Sequence, residues 1–199
     1  MELIIALFVF AFSSTVTPGP NNIMIMTSGM NYGVRKSVPH FLGICIGFPV
    51  MVVLVGLGLG VVFERYPVVH QAIKIAGIIY LLYLSWKIAT TKAAASGNAG
   101  SKPFTFLQAA LFQWVNPKAW MMAASAVAAY TLATEPMLWQ VLLVALVFFL
   151  VAFPCVAVWL FFGTALKRFL KKPKQQMIFN VSMAALLVLS IIPVVSDLL

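Results

Sequence analysis

The chain has 199 residues, of which 63% are hydrophobic and only 9% charged, and its mean hydropathy is +1.04. That mix is far from a soluble domain and marks an integral membrane protein. A formal net charge of +9 would suit nucleic acid, but the basic residues form short clusters between long apolar runs, where topology and anionic lipid account for them.

Six apolar runs each approach the roughly 20 residues that a ~30 Å hydrocarbon core requires. The first, about residues 3–32, begins MELIIALFVFAF. With no basic region and no small-residue cleavage site, it reads as a span rather than a removable leader. It is interrupted by Thr17, Pro18, Gly19, Pro20, Asn21 and Asn22. A proline removes a backbone donor and clashes with the carbonyl a turn earlier, so in lipid the freed groups need protein, water or a ligand. Pro20 is placed to open a second half-helix after Gly19 loosens the turn.

The second span, about 38–62, follows Arg35 and Lys36 and contains His40, Cys45 and a GxxxG formed by Gly43 and Gly47. Histidine titrates in the physiological range, yet His40 reads better as a satisfied structural residue. The GxxxG, with Gly56, Gly58 and Gly60 and the alanines of 123–129, signals close helix contact, within the chain or between subunits of a homo-oligomer. In the third span, about 68–88, Tyr80 is a candidate ligand contact, although packing suits it better, and Tyr83 and Trp86 resemble interface anchors.

Residues 91–102 alone have linker composition. They divide a single transmembrane domain into repeats of about 1–90 and 103–199, each with three spans. Three is odd, so the second repeat crosses in the opposite sense, giving an all-α protein of two inverted three-helix repeats. The fourth span, about 104–133, is broken at Asn116, Pro117 and Lys118, where Asn116 suits an N-cap and Pro117 the first helical position. The fifth, about 138–164, holds Cys155, and the sixth covers about 177–196. Neither cysteine belongs to a CxxC or a metal-ligand spacing, so no metal, cofactor or redox chemistry is indicated.

Arg35, Lys36, Lys87, Lys92, Lys102, Lys167, Arg168, Lys171, Lys172 and Lys174 fall on one predicted side, ten of the 13 basic residues. Positive charge concentrates on the cytoplasmic face, so both termini are expected outside. Arg65 and Lys74 lie on the outer side with all four acidic residues, Glu2, Glu64, Glu135 and Asp197.

Pro18 is 16 residues from Glu2 and 17 from Arg35, while Pro117 is 15 from Lys102 and 18 from Glu135. At about 1.5 Å per residue, both breaks reach the midplane. The second half-helices offer free amides and a positive dipole end there, suited to a carboxylate. The first half-helices offer carbonyls suited to an ammonium, so together they make a site for a zwitterion. Lys118 is costly at this depth, about 2.5–3.5 kcal/mol on insertion scales. It serves substrate or coupling there, or it snorkels or bonds to freed carbonyls and only supports structure. Asn21, Asn22 and Gln113 are polar at similar depth and suit either ligand contact or satisfaction of broken backbone. No predicted span contains Asp or Glu, so the usual carboxylate proton carrier is missing; coupling would fall to Lys118 or to an ion held by half-helix carbonyls.

TPGPNN at 17–22, GVRKSVPHFLGICIGF at 33–48, KIAGIIYLLYLSWK at 74–87 and FLQAALFQWVNPK at 106–118 resemble the LysE/RhtB family of bacterial amino-acid exporters along essentially the whole chain. The YLxxLxWKIAT pattern of the third span looks closest to its cysteine and O-acetylserine branch. The resemblance implies export of amino acids or close derivatives, neutral or sulfur-containing, across the bacterial inner membrane, driven by a proton or ion gradient. Thr17, Pro18, Gly19, Pro20, Asn116, Pro117 and Lys118 match its motifs. A membrane enzyme would need a catalytic constellation that the chain lacks. An assembly subunit would leave two broken spans with a midplane lysine unexplained, and a small channel is the remaining alternative.

Overall fold

The computed structural model describes residues 2–59, 65–91, 103–132 and 134–196. Gly60, Glu64, Asp197 and the linker with its Lys92 and Lys102 lie outside the described residues, apart from Thr91. All regular structure among the described residues is helical.

Helix α1 covers Glu2–Val16 and α2 Pro20–Tyr32, bent by 54° at the TPG interruption. Pro20 occupies the first turn of α2, where its missing N–H is no loss, and Gly19 precedes it in extended backbone. α2 ends at Gly33, whose φ of 78° and ψ of 172° lie in a region essentially reserved for glycine. One residue thus turns the chain directly into α3, Val34–Leu54. α3 gives way to a π-helical turn at Val55–Leu59, kinked at Gly58 with φ 107°. Next come α4, Pro67–Ala89, and α5, Phe106–Phe112. Thr105 and Gln108 cap α5 reciprocally, at 3.2 and 3.0 Å.

A 3₁₀ turn, Gln113–Val115, joins α5 to α6, Pro117–Tyr130. The remaining helices are α7, Met137–Phe169, α8, Pro173–Leu189, and the short α9, Ile192–Ser196. Among the described residues three segments are long and apolar enough to cross a membrane, 34–58, 71–89 and 137–169, and the bent α1–α2 pair makes a fourth. The two further expected spans, about 104–133 and 177–196, are built from shorter helices.

Three buried clusters hold these helices together. One joins α1, α3, α6 and α7 through Leu7, Phe48, Met51, Ala123 and Phe148. Another joins α2, α4, α5 and α8 through Met24, Leu81, Leu84, Phe112 and Leu187. A third joins α2, α3, α5 and α7 through Ile25, Ile44, Ala109, Ala152 and Leu160. α2 therefore belongs to two clusters and is buried along nearly its whole length. The outward faces carry exposed Phe, Leu and Trp such as Trp86, Phe162 and Leu186, as lipid contact requires and water would penalise.

Between lipid-bathed helices, close packing replaces hydrophobic collapse as the main adhesive, and small residues permit it. The expected GxxxG contact is made inside the chain. A Cβ at Gly47 would stand 2.7 Å from Ala110 Cα, and one at Gly43 would strike the Phe106 carbonyl. Likewise Gly163 on α7 lies against the Met26 carbonyl, and Gly29 on α2 against that of Leu160. α2 and α7 are clamped backbone to backbone.

At one end of the molecule Asn31 of α2, Asn180 of α8 and the Thr91 carbonyl after α4 share hydrogen bonds of 3.1–3.4 Å. His40 is buried in the same region, 2.9 Å from the Ser28 hydroxyl and 5.0 Å from the Phe104 ring.

Candidate functional site

The two proline breaks lie side by side. Lys118, in the first turn of α6, reaches across to the other interruption. Its ammonium donates to the Thr17 carbonyl at 2.8 Å, the Thr17 hydroxyl at 2.9 Å and the Pro18 carbonyl at 3.3 Å. Three acceptors match the three donors of an ammonium group. Asn21 and Gln113 make a second bridge, a reciprocal amide pair at 2.8 and 3.2 Å. Residues 92 and 101 positions apart in sequence thus link the breaks twice.

This geometry corrects one expectation. The carbonyls at the end of α1 are not open to an incoming ammonium, because protein donors hold them. Asn22 Nδ2 donates to the carbonyls of Thr15 and Thr17, both at 2.8 Å, the Trp159 indole to that of Val16 at 3.0 Å, and Lys118 to those of Thr17 and Pro18. Lys118 does bond to freed carbonyls, as one of its two readings anticipated, but they belong to the first break rather than to its own helix. Trp159 was not singled out by its sequence, since an indole in an apolar run carries no sign of its partner 143 residues away.

The opposite pole differs between the breaks. Asn116 caps α6 with its side-chain oxygen, accepting from the Lys118 amide at 3.2 Å behind Pro117. Gly19 has no side chain to cap α2, so the first-turn amides of Asn21 and Asn22 remain the open positive helix end.

Two cavities border this crossing. A small one, of about 40 Å³, is lined by Thr15, Gly19, Asn21, Asn22, Asn116 and Lys118 with apolar residues of α3 and α7. A larger one, of about 330 Å³, is lined by Pro18, Gly19, Pro20, Pro117 and Lys118 with residues of α4 and Trp114. Lys118, half-buried, borders both. Gly19 is needed for its pose: a Cβ there would stand 2.7 Å from Lys118 Cδ.

Of the remaining candidates, Gln113 is fully buried and also donates to the Ala109 carbonyl at 2.9 Å. Tyr80 lines neither cavity; it stacks on Tyr83 and packs at a 46° tilt against Phe112, with centroids at 6.2 and 6.1 Å. Its placement is that of a packing residue. Cys45 and Cys155 are free and buried.

The LysE type translocator family matches the chain over residues 12–192. An Escherichia coli (strain K12) protein named cysteine/O-acetylserine efflux protein is 28% identical over 190 residues, 94% of each chain. A protein of the same name from Salmonella choleraesuis (strain SC-B67) is 31% identical over 143 residues, covering 70% of this chain and 71% of its own length. No solved structure gives a significant match.

Proposed function

This chain belongs to the LysE type translocator family, and on that premise we propose that it is a secondary exporter of small amino acids or close derivatives in the bacterial inner membrane. The observation that carries this reading is the Lys118 bridge: a cation held at the meeting of two broken helices, between two cavities, on oxygens that would serve a substrate ammonium equally well. The names of the two relatives favour neutral substrates such as cysteine or O-acetylserine.

In this mechanism the substrate carboxylate approaches the uncapped amides of α2, where the helix dipole favours negative charge. Lys118 then turns from the α1 carbonyls toward the carboxylate. The vacated oxygens of Thr17 and Pro18 take the substrate ammonium. Lys118 is thus a tethered stand-in for the substrate cation, and no bare carbonyl is left in the membrane in either state. Six spans in two inverted repeats, 1–90 and 103–199, would place the crossing at the midplane, with transport by rocking of one repeat against the other.

Counterflow of labelled neutral, basic and sulfur-containing amino acids into liposomes tests the reading. Saturable exchange supports it. Leak without counterflow indicates a channel, and no uptake of any amino acid overturns it.

Topology is tested separately. In a variant lacking Cys45 and Cys155, Glu135→Cys should react with an impermeant thiol reagent in intact cells, and Lys171→Cys should not. The reverse pattern would put the termini inside.

Replacing Pro18 and Pro20 together by Ala restores two backbone donors and permits the chain to continue as helix through the bend. The amides of α2 would then engage the α1 carbonyls, each bond contributing about 0.5–1.5 kcal/mol. Both poles of the site vanish together. The double variant should fold yet export at no more than a few per cent of the parent, roughly the hundredfold loss seen when positioning is disturbed. Parental export would remove the half-helix site from consideration.

A further inference from the structure

Lys118 is not the only lysine set into an apolar span. Lys74 of α4 stands three positions inside the segment 71–89, which is long and apolar enough to cross a membrane. An ammonium there is costly without a cavity or an anion. Snorkelling to the nearer surface would relieve that cost from a position on the outside of the bundle. Lys74 holds no such position. At helical spacing it shares a face with Gly77, Ile78 and Leu81, and all four line the larger cavity. Ile75, Ala76 and Ile79, which point elsewhere, are exposed, whereas Lys74 is half-buried.

Gly77 fixes how α4 meets the second break. A Cβ there would stand 2.8 Å from the Val115 carbonyl, so α4 lies directly on the 3₁₀ turn. Lys74 is about one helical turn along α4 from that contact, and Lys118 follows Val115 by three positions. Two cations, one from each half of the chain, therefore border a single cavity of about 330 Å³. None of α2, α4 and α6 contains an Asp or Glu. Charges of one sign on low-dielectric walls focus their field into the space between and concentrate anions there.

Resting on the exporter reading, we infer that the larger cavity seats the substrate carboxylate and that Lys74 is the second cation of that seat, beside Lys118. When Lys118 leaves the carbonyls of Thr17 and Pro18, the carboxylate lies between the two ammonium groups. The substrate ammonium takes the vacated oxygens on the other side of the crossing. Lys74 thus binds substrate from α4, an element to which the proline breaks assign no part.

Trp114 and Trp120 line the same cavity and report on it by fluorescence. The test uses purified protein in which the exposed Trp86 and Trp139 are replaced by Phe. Iodide, an anionic quencher, is compared with acrylamide, a neutral one. Lys74→Met removes a charge from an apolar span, so it should fold. It should weaken quenching by iodide and leave quenching by acrylamide unchanged, while Lys74→Arg should match the parent. Cysteine should protect the parent from iodide. Cysteamine, with the same ammonium and thiol but no carboxylate, should not. In counterflow into liposomes, Lys74→Met should lower the preference for cysteine over cysteamine roughly tenfold, as expected for one charge-assisted hydrogen bond, and Lys74→Arg should keep it. Iodide quenching that is the same in Lys74→Met and the parent overturns the inference while leaving the exporter reading intact. Quenching that depends on Lys74 with an unchanged preference for cysteine makes the cavity a seat for inorganic anions and overturns the carboxylate assignment. A parent that exchanges no amino acid removes the exporter reading, and the inference with it.

Discussion

Lys118→Met should leave folded protein at close to parental levels while lowering substrate affinity roughly tenfold to hundredfold, equivalent to about 1.5–3 kcal/mol for a lost charge-assisted hydrogen bond. Folding is nearly unchanged because two effects of similar size oppose each other. Removing an ammonium from mid-span relieves about 2.5–3.5 kcal/mol on insertion scales. Against that, the bonds to Thr17 and Pro18 are lost. The Thr17 carbonyl still accepts from Asn22 at 2.8 Å, so the Pro18 carbonyl bears most of the damage. Transport has no such compensation, since methionine cannot meet a carboxylate. Lys118→Arg should restore only part of the activity, because a planar fork does not reproduce a compact ammonium held by three converging oxygens. The measurements are folded yield by gel filtration and the half-saturation concentration in counterflow. A Met variant with parental affinity and rate would make Lys118 a structural staple alone.

Gly163→Val should leave little folded protein. A Cβ at Gly163 meets the Met26 carbonyl, with Met26 Cα at 2.9 Å, and these backbone atoms cannot rotate aside as a side chain would. α2 cannot retreat either, because its far side is packed on Leu81, Leu84 and Leu187. Overpacking of this kind costs about 1–3 kcal/mol where the neighbours can give, and more where they cannot. Displacement of α2 would also pull apart the Asn21–Gln113 and Asn31–Asn180 pairs. The comparison is Ala128→Val on the exposed face of α6, which should behave like the parent. Equal melting temperatures and elution profiles for Gly163→Val and the parent in detergent would show that the clamp is dispensable.

Both interruptions and the Asn116 cap were legible in the residues themselves. Proline at the first turn, asparagine before it and glycine at the bend act over three or four positions, so TPGP and NPK announce their own geometry wherever the chain lies. Gly43 and Gly47 likewise signalled a close contact, but not with which surface. α5 of the same chain turned out to be the partner.

Electrostatic roles were less legible, because they depend on who arrives from elsewhere. Free carbonyls at the end of α1 were a sound expectation from the break alone. Asn22 fills two of them from within the break itself, while Trp159 and Lys118 reach the others only because α6 and α7 cross at that point.

The sequence by itself determined the membrane setting, the positions of the breaks, the Asn116 cap and the membership of an exporter family. Each is written in composition or in motifs a few residues long, where backbone sterics and hydrophobic run length decide the outcome. Only the tertiary structure decided that Lys118 rests on the opposite break, that Trp159 reaches the Val16 carbonyl, and that Tyr80 packs on Phe112 and lines neither cavity. The first two of those outcomes join residues more than a hundred positions apart, and contacts at that separation depend on how whole helices are placed against one another.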